Sequence, residues 1–386
     1  MVRQLAKKIL LSFPAIRRVI HERDCAREAN AQLQTQLQAA TAVADQLELQ
    51  LRSSQQTATD LESKYTILSA GTLLANDASF QPHWDTLFIP ESFQAEFREV
   101  MLQTFYRDNP LIDISNTEVF ERDLSAHTEH RYRVFERWIA TWLETVAPDM
   151  STLTALEVGS GTGSSTLAFA RKVSRLISFE IDTKATDAAR SRLRSFGFSN
   201  VEFHDGQFNA SSEFYKTGEN VDLVVLCAVL EHMTEDERRD TLQAAWSTLK
   251  SGGLLVVADT PNRFAVYDDH TSLLPYYSAL PPWIQRDYSP CSPRADFRNS
   301  IQQTASEMMT ETLARWGAGI SYHDFELAIG QSIHDNIVLD GYEPSLLAMY
   351  PDKIDDGLMR IAFDHYKIPA HRAFTRSLLH FVIRKP

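Results

Sequence analysis

The sequence has few cysteines, little positive charge and no N-terminal apolar run of membrane-spanning length. Its three cysteines, Cys25, Cys227 and Cys291, are widely separated and form no Cys-x-x-Cys or Cys/His spacing. We therefore expect neither a disulfide framework nor a structural zinc site, and we expect a reducing, cytoplasmic location. The N-terminal apolar run falls well short of the roughly 20 residues that a transmembrane helix needs, and no signal-peptide cleavage site follows it.

The charge balance argues against nucleic acid as a partner. The chain has 38 Lys and Arg residues against 51 Asp and Glu residues, a formal net charge of -13. A surface with this excess of negative charge repels phosphate backbones. At 386 residues, of which 44% are apolar, the chain is long enough for one large core with appended elements.

The first 70 residues predict two segments outside that core. Residues 1–20 form a short basic amphipathic segment, which fits peripheral contact with an anionic membrane surface or a frayed helix. Residues 21–70 have no proline or glycine, and apolar residues recur at alternating spacings of three and four. This heptad pattern predicts a coiled coil and a homo-oligomer, with Asn30 at an a position favouring a parallel dimer. A single solvated helix or a disordered linker is the alternative.

The rest of the chain predicts a helical lead-in at residues 71–150 and an α/β domain at 151–386. From Leu153 onward, apolar runs of five to seven residues alternate with stretches at helical spacing. This alternation predicts a doubly wound, mostly parallel seven-stranded sheet with helices on both faces. An insertion at about 260–345 follows the fifth strand, and "SLLHFVIRKP" predicts a last strand that returns along the sheet edge.

A glycine-rich loop follows the first predicted strand, in the stretch "LEVGSGTGSST". A P-loop would need Gly-Lys-Ser/Thr, and no lysine follows Gly163. A dinucleotide fingerprint would need a third spaced glycine where Ser164 stands. The pattern is instead an acidic residue, Glu157, followed by three alternating glycines.

This pattern resembles motif I of the class I S-adenosylmethionine-dependent methyltransferases. The resemblance covers roughly residues 153–259 and the terminal strand, and it implies S-adenosylmethionine as cofactor. It implies that the glycine turn approaches the cofactor, that Glu157 helps to hold its ammonium group, and that Asp205 contacts the adenine amino group. Glu180, about twenty residues past the first glycines, would accept the ribose hydroxyls, with Asp182 ranked second. The implied cofactor residues are Glu157, Gly159, Gly161, Gly163, Glu180, Asp205, Gly206, Gln207, Cys227 and Ala228.

Candidate bases follow the fourth and fifth strands, where a methyl acceptor would lie. His270 beside Asp269 could accept a hydroxyl proton with the carboxylate as its orienting partner, and His232 is a second candidate. Capping of a turn by the acidic pair is the structural alternative. Asp259, Asp268, Asp269 and His270 would be the group to test for a divalent metal, but their spacing is unconvincing and we predict none.

We therefore predict an S-adenosylmethionine-dependent methyltransferase acting on an oxygen of a saccharide or natural-product acceptor. "TPNRF" and "DDHTSLLP" resemble a bacterial subgroup of the family, often associated with modification of glycans or secondary products. Tyr276, Tyr277, Trp283 and Tyr288 would form an aromatic wall for such an acceptor. N-methylation of a small amine, and a non-catalytic coiled-coil scaffold that keeps the fold, are the alternatives.

Overall fold

The computed structural model describes residues 91–107 and 117–386, together with Ile89 and a few positions between 14 and 41. The chain divides into two units, Met1–Trp84 and Asp85–Pro386, and the second is described below. Apart from those few positions, the N-terminal segment and the coiled coil lie outside the described residues and stay predictions. Within the described part of the chain, every helix is too short or too polar to cross a bilayer.

A twisted seven-stranded sheet forms the centre of the second unit. Its strands are β1 (Thr154–Val158), β2 (Arg175–Glu180), β3 (Val201–Asp205), β4 (Val221–Cys227), β5 (Leu249–Pro261), β8 (Ile337–Leu339) and β9 (Leu378–Arg384), in the order β3-β2-β1-β4-β5-β9-β8. Strands β1 to β5 are parallel, and β9 is antiparallel to β5 and β8. The chain leaves β1 toward β2 and later returns on its other side at β4, so a crevice opens at the carboxyl ends of β1 and β4.

The predicted doubly wound sheet is confirmed, and one detail of it is wrong. The terminal strand β9 was expected at the sheet edge, but β8 pairs with its outer side. A three-residue strand gives too short a pattern to be read from the sequence. A separate two-stranded ribbon, β6 (Tyr267–Asp268) with β7 (Leu274–Pro275), lies in the insertion.

Helices cover both faces of the sheet. They are α1 (Glu91–Gln103), α2 (Thr117–Ser125), α3 (Arg131–Val134), α4 (Ala140–Glu144), α5 (Ser164–Ala170), α6 (Thr183–Ser195), α7 (Glu213–Lys216), α8 (Glu235–Thr248), α9 (Pro282–Tyr288), α10 (Ala295–Gln303), α11 (Met309–Trp316), α12 (Tyr322–Ile329), α13 (Pro344–Leu347) and α14 (Ile354–Tyr366). Successive strand residues point to opposite faces. Leu156 therefore belongs to the same buried cluster as Leu242 of α8 and Phe325 of α12, whereas Ala155 belongs to the cluster on the other face with Phe169 of α5.

The segment before the sheet is one helical stretch, residues 117–144, which we call the lead-in helix. Two π-helical turns, Ala126–His130 and Phe135–Ile139, join α2, α3 and α4. A π-helical turn changes the regular carbonyl pairing of an α-helix and is frequent at functional sites. Here the carbonyls of His127 and Thr128 accept hydrogen bonds from side chains of the sheet domain.

The buried guanidinium of Arg192 on α6 connects the lead-in helix to the glycine loop. It donates to the carbonyls of Thr128 (3.0 Å), His127 (2.5 Å) and Thr162 (2.9 Å). The guanidinium also packs on the ring of Phe97, with Arg192 Cζ 4.3 Å from the ring centroid. Burial lowers the pKa of Arg192 to about 9. Three carbonyl acceptors from two separate segments thus depend on one side chain.

Replacing Arg192 with Met should lower the free energy of unfolding by about 3 kcal/mol, because buried carbonyls lose their donors. Chemical denaturation measures this change. Arg194→Met, at an exposed position of the same helix, should change it by under about 0.5 kcal/mol. Equal effects of the two substitutions would contradict the role given to Arg192.

Candidate functional site

The glycine loop between β1 and α5 keeps its shape because all three glycines have positive φ. Gly159 and Gly163 have φ of +85°, and Gly161 has φ of +48°. A Cβ on Gly159 would lie 2.5 Å from Val229 Cγ2, and one on Gly163 would lie 2.8 Å from the Cα of Ala189. A Cβ on Gly161 would meet nothing within 4 Å. Gly159 and Gly163 are therefore fixed by packing, while Gly161 leaves open space above the loop.

That space is a cavity of about 330 Å³ at the carboxyl ends of the parallel strands. Its size falls in the range of small-molecule sites. The predicted residues that line it are Gly159, Gly161, Glu180, Gly206, Gln207, Cys227, Ala228 and His232. The predicted residues outside its lining are Glu157, Gly163, Asp205, Asp269 and His270.

Glu180, at the end of β2, presents its carboxylate to the cavity. One oxygen accepts the N–H of Gly161 (2.8 Å) and the other accepts the N–H of Asp182 (3.0 Å). A carboxylate has about four acceptor sites, so each oxygen can still accept a hydroxyl. The structure thus fits the predicted role of Glu180 as the acceptor of a ribose diol. Asp182, which we ranked second, accepts the N–H of Lys184 and caps α6.

Glu157 lies beneath the glycine loop and does not line the cavity. Its carboxylate is fully buried and accepts hydroxyl hydrogen bonds from Ser165 (2.5 Å), Thr166 (2.7 Å) and Ser178 (2.9 Å). Burial raises the pKa of Glu157 to about 7, against the opposing effect of the three hydroxyl donors. The structure therefore places this residue where it supports the loop and α5, away from the predicted contact with the ammonium group.

The end of β3 reaches the cavity through its backbone. Asp205 is exposed and outside the lining, whereas Gly206 and Gln207 line it. Gly206 has φ of +117° and donates its N–H to the carbonyl of Glu180 (2.7 Å). This turn directs the chain across the cavity wall, but the Asp205 side chain leaves toward solvent.

The lead-in helix supplies the opposite wall. Phe105, just after α1, and His127, Arg131 and Phe135 line the cavity from this side. Among the described residues, no carboxylate lies within ion-pair distance of Arg131, so its guanidinium can bind an anionic group of a ligand. From the sequence, His127 and Arg131 fit either a lining of this opening or a solvated helical face, and the second was preferred because nothing in a helical pattern shows which distant strand ends it will contact.

Of the candidate bases, His232 lines the cavity and follows Cys227 and Ala228 in the chain, whereas His270 lies beside it and outside the lining. His232 belongs to the 3₁₀ turn Leu230–His232 after β4, and its ring centroid lies 5.5 Å from that of His270. Burial is the main cause that lowers the pKa of both imidazoles below the usual histidine range. Glu231, fully buried beside them, has its pKa raised to about 8 by burial.

The acidic residues before His270 make contacts with residues other than His270. Asp269 forms an ion pair with Lys353, and Asp268 accepts the N–H groups of Thr271 and Ser272, which caps the turn. The orienting partner of His270 is the hydroxyl of Thr271, 2.9 Å from Nδ1. The structure therefore does not pair Asp269 with His270, and the capping alternative describes Asp268.

The predicted aromatic wall does not line the cavity. Tyr277 is buried against Phe297 in the insertion, at 5.8 Å between ring centroids. Tyr276, Trp283 and Tyr288 are exposed on the surface of the insertion. Residues that sequence reasoning missed take the place of this wall, namely Met233, Glu237 and Arg315. Arg315 and Glu237 form a bidentate ion pair (2.7 and 2.8 Å) that joins α11 to the first turn of α8.

Residues 155–253, from β1 into β5, match the model of a protein family described as "Methyltransferase domain". An uncharacterized methyltransferase of Bacillus pumilus (strain SAFR-032) is 28% identical over 141 residues, which are 36% of this chain and 62% of the relative. The chain thus spans less than two thirds of the length of this curated relative.

Two solved structures are also similar. The S-adenosylmethionine-bound amino pentose methyltransferase CalS10 of Micromonospora echinaspora is 23% identical, covers 36% of this chain and 55% of its own, and has a TM-score of 0.29. An S-adenosylmethionine-dependent methyltransferase of Clostridium acetobutylicum ATCC 824 is 17% identical, covers 41% of this chain and 67% of its own, and has a TM-score of 0.30. Similarity at this level says nothing about the acceptor of this chain.

The raised pKa of Glu157 gives a pH dependence of stability. The folded carboxyl holds its proton up to about pH 7, whereas the unfolded chain releases it near the ordinary glutamate pKa of 4.5. The folded state therefore binds more protons in this window, and its stability falls as pH rises through it. Glu157→Gln lacks this loss, so the unfolding free energy of the variant relative to wild type should increase by up to about 3 kcal/mol between pH 4 and pH 8. Denaturation at a series of pH values measures it, and a pH-independent difference would contradict the buried, protonated carboxyl.

Proposed function

We propose that the protein is a class I S-adenosylmethionine-dependent methyltransferase, supported by the methyltransferase-domain match over residues 155–253, and that it transfers a methyl group to an oxygen of a saccharide or natural-product acceptor. The observation that carries this proposal is that Glu180, the glycine loop and His232 all line the same cavity. Glu180 and the glycine loop suit a ribose, and His232 suits an acceptor hydroxyl that must lose its proton.

Residues of this chain fit the cofactor along the length of the cavity. Glu180 keeps acceptor sites for the ribose hydroxyls, and Gly161 leaves the loop surface open. Arg131 offers a guanidinium for the carboxylate of the amino-acid part. Cys227 and Ala228 then line the end toward His232. When bound, S-adenosylmethionine supplies the methyl group, which passes to the acceptor oxygen as the sulfur–carbon bond breaks.

We assign the removal of the acceptor proton to the group formed by His232 and His270. His232 lines the cavity, and the ring centroid of His270 lies 5.5 Å from that of His232. Hydroxyl acceptors need this step, because a neutral hydroxyl is a weak nucleophile. A neutral amine attacks through its lone pair, so an amine acceptor would depend less on the two imidazoles. Their position therefore favours oxygen over nitrogen as the acceptor atom.

The insertion carries exposed aromatic side chains outside the cavity lining, which suit the part of a large acceptor that extends beyond the cavity. Tyr276 is 59% exposed and Trp283 is 64% exposed. Exposed aromatic side chains of this kind stack on sugar rings and on aromatic ring systems. The insertion follows β5, and loops at the carboxyl ends of the strands bind ligands in doubly wound folds.

Loss of the Glu180 carboxylate should weaken S-adenosylmethionine binding without unfolding the protein. Two hydrogen bonds to a charged acceptor contribute about 1.5–3 kcal/mol each, so Glu180→Ala should raise the dissociation constant by at least about tenfold. Isothermal titration calorimetry measures it, with thermal unfolding as the check on folding. Asp240→Ala, which removes an exposed carboxylate from α8, is the matched control. Unchanged affinity in Glu180→Ala would disprove the site assignment.

The acceptor atom can be identified directly. The protein is incubated with S-adenosylmethionine carrying an isotopically labelled methyl group and with fractionated glycans and small molecules, and the labelled product is analysed by mass spectrometry and NMR. We expect a methyl ether, and we expect His270→Ala to lower kcat by about a hundredfold or more. A methylated amine whose formation is indifferent to His270→Ala would establish N-methylation instead.

A further inference from the structure

Three metal-ligating side chains meet beside the acceptor end of the cavity. Glu231 and His232 belong to the 3₁₀ turn after β4, and His270 comes from the insertion. One ligand atom from each lies within 4.8 Å of the other two, and His232 Nε2 is 3.8 Å from Glu231 Oε1. The set therefore combines two imidazoles and one carboxylate from distant parts of the sequence.

The Glu231 carboxylate is buried without a donor. Its side chain has 0% exposure, and within the described chain neither oxygen accepts a hydrogen bond from another residue. A buried carboxylate of this kind costs several kcal/mol unless a cation or a proton compensates it. The backbone carbonyl of Glu231 accepts the N–H of Ala318 (2.8 Å), so the turn is anchored while its side chain is left unsatisfied.

The hydrogen bonds of both imidazoles fix which nitrogen keeps a lone pair. His232 Nδ1 lies 3.0 Å from the carbonyl oxygen of Arg315, which can only accept, so Nδ1 carries the proton and Nε2 has the lone pair. The hydroxyl of Thr271 donates to the carbonyls of Gly317 (2.9 Å) and Trp316 (3.1 Å). It therefore accepts from His270 Nδ1, and His270 Nε2 also keeps its lone pair. A backbone carbonyl or hydroxyl behind each ring is the usual support of a metal-bound histidine.

The backbone at the end of α11 holds the His270 ring in place. Gly317 has φ of +121°, and a Cβ there would lie 2.6 Å from both Cε1 and Nδ1 of His270. Only glycine allows this approach. The imidazole is therefore packed on one side and oriented by Thr271 on the other, which leaves it little freedom to rotate.

From this arrangement we propose that Glu231, His232 and His270 form a binding site for a divalent transition-metal ion. Three atoms within 4.8 Å of one another lie within about 2.8 Å of a common point, so shifts of under about 1 Å would reach the roughly 2.0–2.2 Å of zinc–nitrogen and zinc–oxygen bonds. Imidazole with a single carboxylate suits zinc, iron or cobalt better than magnesium, which prefers oxygen ligands.

Charges around the three ligands act in both directions. Asp268 and Asp269 favour a positive charge near His270, and Asp259 adds negative charge near Glu231. Arg131 and Arg294 oppose a cation at His270, and Arg238 opposes one at Glu231. Because nearby positive and negative charges oppose each other, the bonds from the three ligands to the ion have to supply most of the metal affinity.

The chemical role of the ion rests on the proposed function. A cation beside the acceptor end would lower the pKa of an acceptor hydroxyl, so that solvent water could take the proton. With the ion bound, the two imidazoles would promote the same proton loss as its ligands, and in the ion's absence they would accept the proton themselves. Nothing in the binding of the ion itself requires a methyl acceptor, so the two ideas can be tested apart.

The test uses Co²⁺ as probe on the full chain without a polyhistidine tag, after treatment with a chelator. We expect one Co²⁺ per chain, seen as visible d–d absorption that Zn²⁺ displaces. Glu231→Gln and His270→Ala should lose this absorption, and His365→Ala, at an exposed histidine of α14, should keep it. No stoichiometric binding, or the same absorption in Glu231→Gln and His270→Ala, would overturn the site.

A second variant guards against misfolding of the ligand substitutions. Thr271→Val keeps all three ligands but removes the hydroxyl that orients His270, and it should weaken Co²⁺ binding by roughly 10–100-fold. Unchanged Co²⁺ affinity in a folded Thr271→Val protein would also count against the site. Calorimetry with S-adenosylmethionine on the wild-type preparation separates the two ideas. Cofactor binding without Co²⁺ binding overturns the metal site alone, whereas no cofactor binding overturns the proposed function.

Discussion

The geometry of the site depends on the buried guanidinium of Arg192. Burying a charged group away from water costs free energy. The guanidinium of Arg192 is stable here because the carbonyls of three residues accept its hydrogen bonds. Two of those carbonyls lie in a π-helical turn of the lead-in helix and the third lies in the glycine loop. The side chain therefore fixes the distance between the two walls of the cavity. Without it, the carboxyl ends of the strands would form an open edge in place of a cleft.

The two carboxylates of the cofactor region differ in depth, since Glu157 is buried and Glu180 is only partly buried. Glu157 points away from the cavity, where three hydroxyls surround it, and it stabilises the loop from below. Glu180 lies on the neighbouring strand, at the cavity surface. Its carboxylate accepts the N–H of Gly161 in the loop and keeps other acceptor sites open. Residues that look equivalent as acids in a motif thus separate into a supporting role and a ligand-facing role.

The sequence pointed to residues that line the cavity where they lie at strand ends, and it missed most of those that come from distant helices. The glycine loop, Glu180 and Gly206 follow strand ends directly, so spacing alone places them at one edge of the sheet. Arg131 and Arg315 come from helices far from that motif, and only the topology shows that they reach the same cavity.

The choice of Asp269 shows a different limit. Consecutive residues in a turn point in different directions, so adjacency to His270 in the sequence did not bring the two side chains together. The described structure joins His270 instead to His232 and Glu231, about forty residues earlier in the chain. The most direct test of the two-walled cleft is hydrogen–deuterium exchange with and without S-adenosylmethionine. We expect the cofactor to protect amides of both the glycine loop and the π-helical turn of the lead-in helix. Protection of the loop alone, or of neither segment, would contradict this account.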